Sequence, residues 1–137
     1  MQHRDIFVNL AVKDLPRSRA FFEALGYSFN PQFSNDMGAC LVLGANLYAM
    51  LLTEPFFQGF TKKPVADAKA VTEVLVCVSC ESREQVDELV RRALAAGGKA
   101  PNPVQDHGFM YGHGFEDLDG HQWELSYLDM SQFPAQS

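Results

Sequence analysis

Two passages of this chain are weakly similar. NLAVKDLPRSRAFFEALGYSF, Asn9 to Phe29, and LVCVSCESREQVDELVRRALAAGGKA, Leu75 to Ala100, each run from an apolar strand through a polar turn into a helix that stops at glycine. Three short strand-like runs follow each helix: YSFNPQF, GACLVLG and NLYAMLLT in the first half, KAPNPV, GFMYGHGF and HQWELSYL in the second. A repeat of this size points to two copies of one module. Three consecutive short strands after each helix argue against a parallel α/β sheet, in which strands and helices alternate throughout. The expected fold class is therefore α+β, with two βαβββ modules.

Local chemistry supports each boundary. Asp14 is a suitable N-cap and Pro16 suits a first helical turn. Leu15, Phe21, Phe22 and Leu25 make an apolar stripe, and Gly26 can end the helix with positive φ. In the second copy, Ser82 and Gln85 have capping-box spacing. Val86, Leu89, Val90, Ala93 and Leu94 give the stripe of a one-sided helix. TEVLVCVS, Thr72 to Ser79, reads as the strand that feeds it. The expected layout is module one over about residues 5–53, a connector over 54–70 and module two over about 71–129. The connector carries Phe56, Phe57 and Phe60, read as aromatics that cover the core.

Composition narrows the function. With 47% hydrophobic and 20% charged residues, the 137-residue chain can bury a core without disulfides. A net charge of −6 disfavours nucleic-acid binding. No apolar run reaches membrane-spanning length, and the N-terminus lacks a signal-peptide pattern, so a cytoplasmic protein is expected. Three cysteines form no disulfide framework. Cys77 and Cys80 are formally C-x-x-C, a weak redox or zinc signal; Cys80 precedes a helix N-terminus, which can lower a thiol pKa.

VKDLPRSRAFFEALG, Val12 to Gly26, and FEDLDGHQWEL, Phe115 to Leu125, resemble the opening and closing motifs of the vicinal oxygen chelate superfamily, the glyoxalase, bleomycin resistance and extradiol dioxygenase group. The second motif has Leu118 where the family usually has proline. The resemblance implies two βαβββ modules curled into an incomplete barrel around a cavity. It also implies a homodimer, and a divalent ion held by one residue from the first and last strand of each module. Carried over, those positions are Phe7, Met50 (or Ala49), Glu73 and Glu124. Phe7 has no donor, and a thioether suits hard ions poorly. The four-ligand metal site is incomplete, and no cofactor is expected; a divalent metal on Glu124 and Glu73 is the alternative.

Alternation along the last strand sets Trp123, Leu125 and Tyr127 on one face and Gln122, Glu124 and Ser126 on the other. In the implied fold the second face looks into the cavity, with Phe7, Asn9 and Ala11, Met50 and Leu52, and Glu73, Leu75 and Cys77. Two carboxylates there would repel and raise one pKa, so Glu124 and Glu73 are candidates for acid or base. On the preceding strand, Met110, Gly112 and Gly114 share a face with Glu124, and the glycines would leave room for a ligand. Tyr111 and His113 lie on the other face and are retained as candidate ligand contacts. His121, in the D-G-H turn, is expected at the surface.

The favoured reading is a small-molecule binder with an apolar cup. The alternatives are a metal-dependent lyase, isomerase or dioxygenase of the same superfamily, and a non-catalytic dimer with a structural role.

Overall fold

A computed structural model describes residues 1–132. The chain divides into two compact units, residues 1–71 and the remainder from Thr72. Each is a four-stranded mixed sheet with a helix on one face.

In the first unit, β1 (Ile6–Val12) leads through the Asp14 cap into α1 (Leu15–Ala24). The Asp14 carboxylate accepts the Arg17 amide N–H at 3.1 Å, and Gly26 follows the helix at φ 103°. β2 (Ser28–Asn30), β3 (Gly38–Gly44) and β4 (Leu47–Thr53) complete a sheet of order β1-β4-β3-β2. β1 runs parallel to β4, its last strand, and the other pairs are antiparallel. Leu10, Val12, Leu41 and Leu51 are buried with Phe21, Phe22 and Leu25 of the α1 segment. The connector is not wholly irregular: α2 (Glu54–Gln58) forms at its start, with Pro55 in the first turn. The Phe56 and Phe60 rings meet edge to face at 5.2 Å, while Phe60 itself stays exposed.

The second unit repeats the plan. β5 (Leu75–Ser79), α3 (Arg83–Ala95), β6 (Gln105–Asp106), β7 (Met110–Glu116) and β8 (Gln122–Leu128) give the order β5-β8-β7-β6. Again the first strand lies parallel to the last. The Ser82 hydroxyl accepts the Gln85 amide at 3.0 Å, and the Gln85 side chain accepts from Glu81. Val86, Leu89, Val90 and Ala93 of α3 are buried, as are Phe115, Trp123 and Leu125 of the sheet; Leu94 is exposed and does not belong to the stripe.

Two strand expectations fail for identifiable reasons. β5 begins at Leu75, so Thr72–Val74 precede the ladder. KAPNPV forms no strand, because Pro101 and Pro103 have no N–H to donate to one. Both units are α+β, and among the described residues neither sheet closes on itself.

The exposed face of α3 carries a charge pair suited to an acid titration. Glu88 accepts from Arg92 at 2.9 Å and from Arg91. These hydrogen bonds hold its carboxyl down at about 2, below the ordinary 4.5. A depressed carboxyl contributes stability above its unfolded pKa, and that contribution is lost as pH falls towards the folded value. Glu88→Gln is therefore expected to lower the Tm slightly at pH 6 and to converge on the parent as pH falls through about 2. The size is limited by solvent exposure. Thermal melts at several pH values check this, and a Tm difference independent of pH contradicts it.

Candidate functional site

The second sheet has one face under α3 and one face open. The register fixes which residues share the open face. Glu124 pairs with Cys77 on one side and Gly114 on the other. Ser126 pairs with Ser79 and Gly112, and Gly112 with Gln105. Gln122 pairs with Leu75 and Glu116. These rungs floor an open cleft of about 530 Å³, walled on one side by Pro101, Asn102 and Pro103. Its lining includes the Glu116 and Glu124 carboxylates and no lysine or arginine. Lys99 stands opposite Glu116 on an isolated bridge at the edge.

Cys77 is exposed on this floor, whereas Cys40 and Cys80 are buried. Partial burial, and then the neighbouring Glu124 carboxylate, push the Cys77 thiol up, so it stays protonated at neutral pH. Cys80 is pushed up as well, first by burial and then by Cys77.

The sequence candidates fall in different places. Glu124 and Met110 lie on the cleft floor. Leu75 is on the same face, beyond the lining. Glu73 is exposed, ahead of β5, and four residues before Cys77. At about 3.3 Å per strand residue it stands about 13 Å along the chain from the residue paired with Glu124. Phe7, Asn9 and Met50 belong to the first unit, where Phe7 pairs with Tyr48 and Asn9 with Met50. The Phe7 and Tyr48 rings stack at 4.8 Å, and Phe7 is half exposed. Tyr111 is engaged with α3: its hydroxyl donates to Asp87 at 2.6 Å, and Arg83 sits 4.9 Å over its ring. His113 lines the cleft edge and its Nε2 meets the Asn102 carbonyl at 3.0 Å. Gln122 and Ser126, which alternation sets on the Glu124 face, line the cleft, and Gln105 of β6, absent from the sequence candidates, joins them through its pairing with Gly112.

The paired positions of the first and last strands offer an amide and a thioether in the first unit, and a thiol and a carboxylate in the second. Catalytic zinc normally takes three protein ligands. In the second unit the Cys77–Glu124 pair supplies two donors, short of that number. A separate Asp117, Asp119 and His121 cluster has its potential donor atoms within 4.8 Å of one another. The Asp117 carboxylate there already accepts the Asp119 and His121 amides, both at 3.0 Å, and the Trp123 indole N–H at 3.1 Å. Burial pushes this carboxyl up. His121 is buried, not at the surface as expected, because the turn folds it inward after Gly120 (φ 92°).

Two βαβββ units, each with its first strand parallel to its last, define a protein of the vicinal oxygen chelate fold. Residues 4–44 match the family described as bleomycin resistance protein-like N-terminal. The chain is similar to the structure of the hypothetical protein SA1046 from S. aureus, with 28% identity, 93% of this chain and 95% of that chain covered, and a TM-score of 0.77. It is also similar to a glyoxalase-related enzyme from Fulvimarina pelagi, with 19% identity, 100% and 94% coverage, and a TM-score of 0.76. A genomically encoded fosfomycin resistance protein, FosX, from Listeria monocytogenes matches with 21% identity, 100% and 96% coverage, and a TM-score of 0.66. No curated protein matches the chain. Among the described residues, no helix is long and apolar enough to cross a membrane.

Proposed function

We propose that the chain binds a small organic molecule on the open face of its second sheet, without a metal at that site. The supporting observation is the Cys77–Glu124–Gly114 rung at the floor of the cleft. Glu124 supplies a central carboxylate, Gln122, Ser126 and Gln105 supply neutral polar groups, and Met110, Pro101 and Pro103 supply apolar contact. A few polar groups on an otherwise apolar wall are what small-molecule sites use to fix orientation. With two carboxylates and no lysine or arginine in the lining, the ligand is neutral or cationic. Phosphates, phosphonates and carboxylates are disfavoured by like-charge repulsion.

The test uses aryl compounds that differ only in their end group: tryptamine, tryptophol and indole-3-propionate, followed by calorimetry and by amide NMR shifts of the cleft residues. Tryptamine is expected to bind best. Glu124→Gln is expected to weaken it about fivefold, about 1 kcal/mol for a solvent-accessible charge contact, and to leave tryptophol unchanged. A preference for indole-3-propionate, or indifference to Glu124→Gln, overturns the reading.

The likeness to a glyoxalase-related enzyme supports a second reading, a metal-dependent lyase, isomerase or dioxygenase. It requires a stoichiometric ion in the purified protein that is lost on Glu124→Ala, which elemental analysis decides. The homodimer implied by the resemblance is checked by light scattering across concentrations.

A further inference from the structure

The cleft wall is attached to the sheet in an unusual way. At one end Lys99 and Glu116 exchange main-chain hydrogen bonds of 3.1 and 2.7 Å. At the other end Gln105 pairs with Gly112. Between these anchors β7 has three residues, His113 to Phe115, but the wall has five, Ala100 to Val104. The longer segment must arch away from the strand. Pro101 and Pro103 cannot donate main-chain hydrogen bonds and stiffen the arch. Residues 100–104 belong to no strand.

One side chain ties the arch at its middle. His113 Nε2 lies 3.0 Å from the Asn102 carbonyl. A carbonyl oxygen only accepts, so Nε2 carries the proton and donates. Beyond the second anchor, Arg83 donates to the Asp106 carboxylate at 2.9 Å and to the Gly108 carbonyl at 2.8 Å. This clasp fixes the far hinge to α3 and leaves the arch itself dependent on His113.

We propose that residues 100–104 form a hinged wall of the cleft and that His113 is the positioning residue that latches it, so that this latch sets the size of the molecule admitted. The inference rests on the cleft reading only for its bearing on ligand size. The wall itself is read by a separate chemistry, so failure of ligand binding and failure of the latch are distinct results.

The probe is a cysteine placed by Ser126→Cys in a Cys77→Ser background, since Ser126 lies on the cleft floor beside β7 and Cys40 and Cys80 are buried. Its labelling rate is measured with N-ethylmaleimide and with the bulkier N-(1-pyrenyl)maleimide, with Cys77→Ser alone as the site control. His113→Phe removes the donor and keeps a flat ring. It is expected to speed pyrenylmaleimide labelling about fivefold, the worth of one hydrogen bond, with little change for N-ethylmaleimide. His113→Gln, which can still donate, is expected to restore most of the parental rate. Equal acceleration of both reagents, no acceleration, or a His113→Gln rate equal to that of His113→Phe overturns the latch. Hydrogen exchange on the unaltered protein gives a second readout: the Asn102 and Val104 amides should exchange quickly while β7 and β8 stay protected. Protection of Asn102 and Val104 equal to that of β8 overturns the hinge.

Discussion

Asp117→Ala is expected to destabilise the second unit by about 4 kcal/mol, from about 1–3 kcal/mol for each buried donor left without an acceptor. Three donors converge on this carboxylate: the amides of Asp119 and His121 and the indole N–H of Trp123. The same residue closes the hairpin through its main chain, accepting from Gly120 at 3.1 Å and donating to His121 at 3.0 Å. The carboxylate therefore ties the β7–β8 turn to the core. Asp117→Asn separates its two oxygens. The amide oxygen can still take the two main-chain donors, but the amide nitrogen then faces the indole N–H, donor against donor. About 2 kcal/mol is expected for that variant. Trp123 is the only tryptophan in the chain, so urea unfolding followed by its fluorescence reports on this unit. Equal losses for Asn and Ala would contradict the assignment of one oxygen to the indole.

Gly114→Ala is the second large effect. A Cβ at this position would stand 2.7 Å from the Trp123 carbonyl oxygen and 3.7 Å from the Glu124 Cα. The obstacle is backbone, so β7 and β8 must move apart. A loss of about 2–3 kcal/mol is expected, in the range of core overpacking. Because Gly114 pairs with Glu124, the same variant should shift the Glu124 amide resonance and weaken tryptamine binding. Gly112→Ala is the control: its Cβ would meet the Leu125 oxygen and the Met110 sulfur at 3.4 Å, an ordinary contact. It should fold as the parent does. If both alanine variants have parental stability, the close approach at Gly114 is not tight enough to matter.

The glycines also show how far the sequence could be followed. Period-two alternation assigned Gly112, Gly114 and Glu124 to one face, and the unbroken β7–β8 register agrees. The reason given, room for a ligand, accounts for neither the 2.7 Å main-chain approach at Gly114 nor its necessity. The two helices were readable from their caps and stripes because those signals are local. β5 starts three residues later than its sequence suggests, since where a ladder begins depends on its partner β8 and not on the β propensity of Thr72–Val74. Cys77 was placed on the correct face, but its pairing with Glu124 is a fact of register between strands 47 residues apart. His121 was misplaced because a turn residue usually faces water, and only the Asp117 network turns this one inward.

Pairing the first strand of each unit with its last has a consequence for how the chain is made. Among the described residues β5 has a single partner, β8, which also holds β7. Until Gln122 to Leu128 have been synthesised, both edges of β5 are bare, and the apolar face of α3 has only part of its sheet to cover it. A product terminated anywhere between Ser79 and His121 would present unpaired edges of the kind that seed aggregation. Quality control by proteolysis is the expected fate of such fragments, and the residues around Glu124 are then the last checkpoint of folding as well as the floor of the cleft.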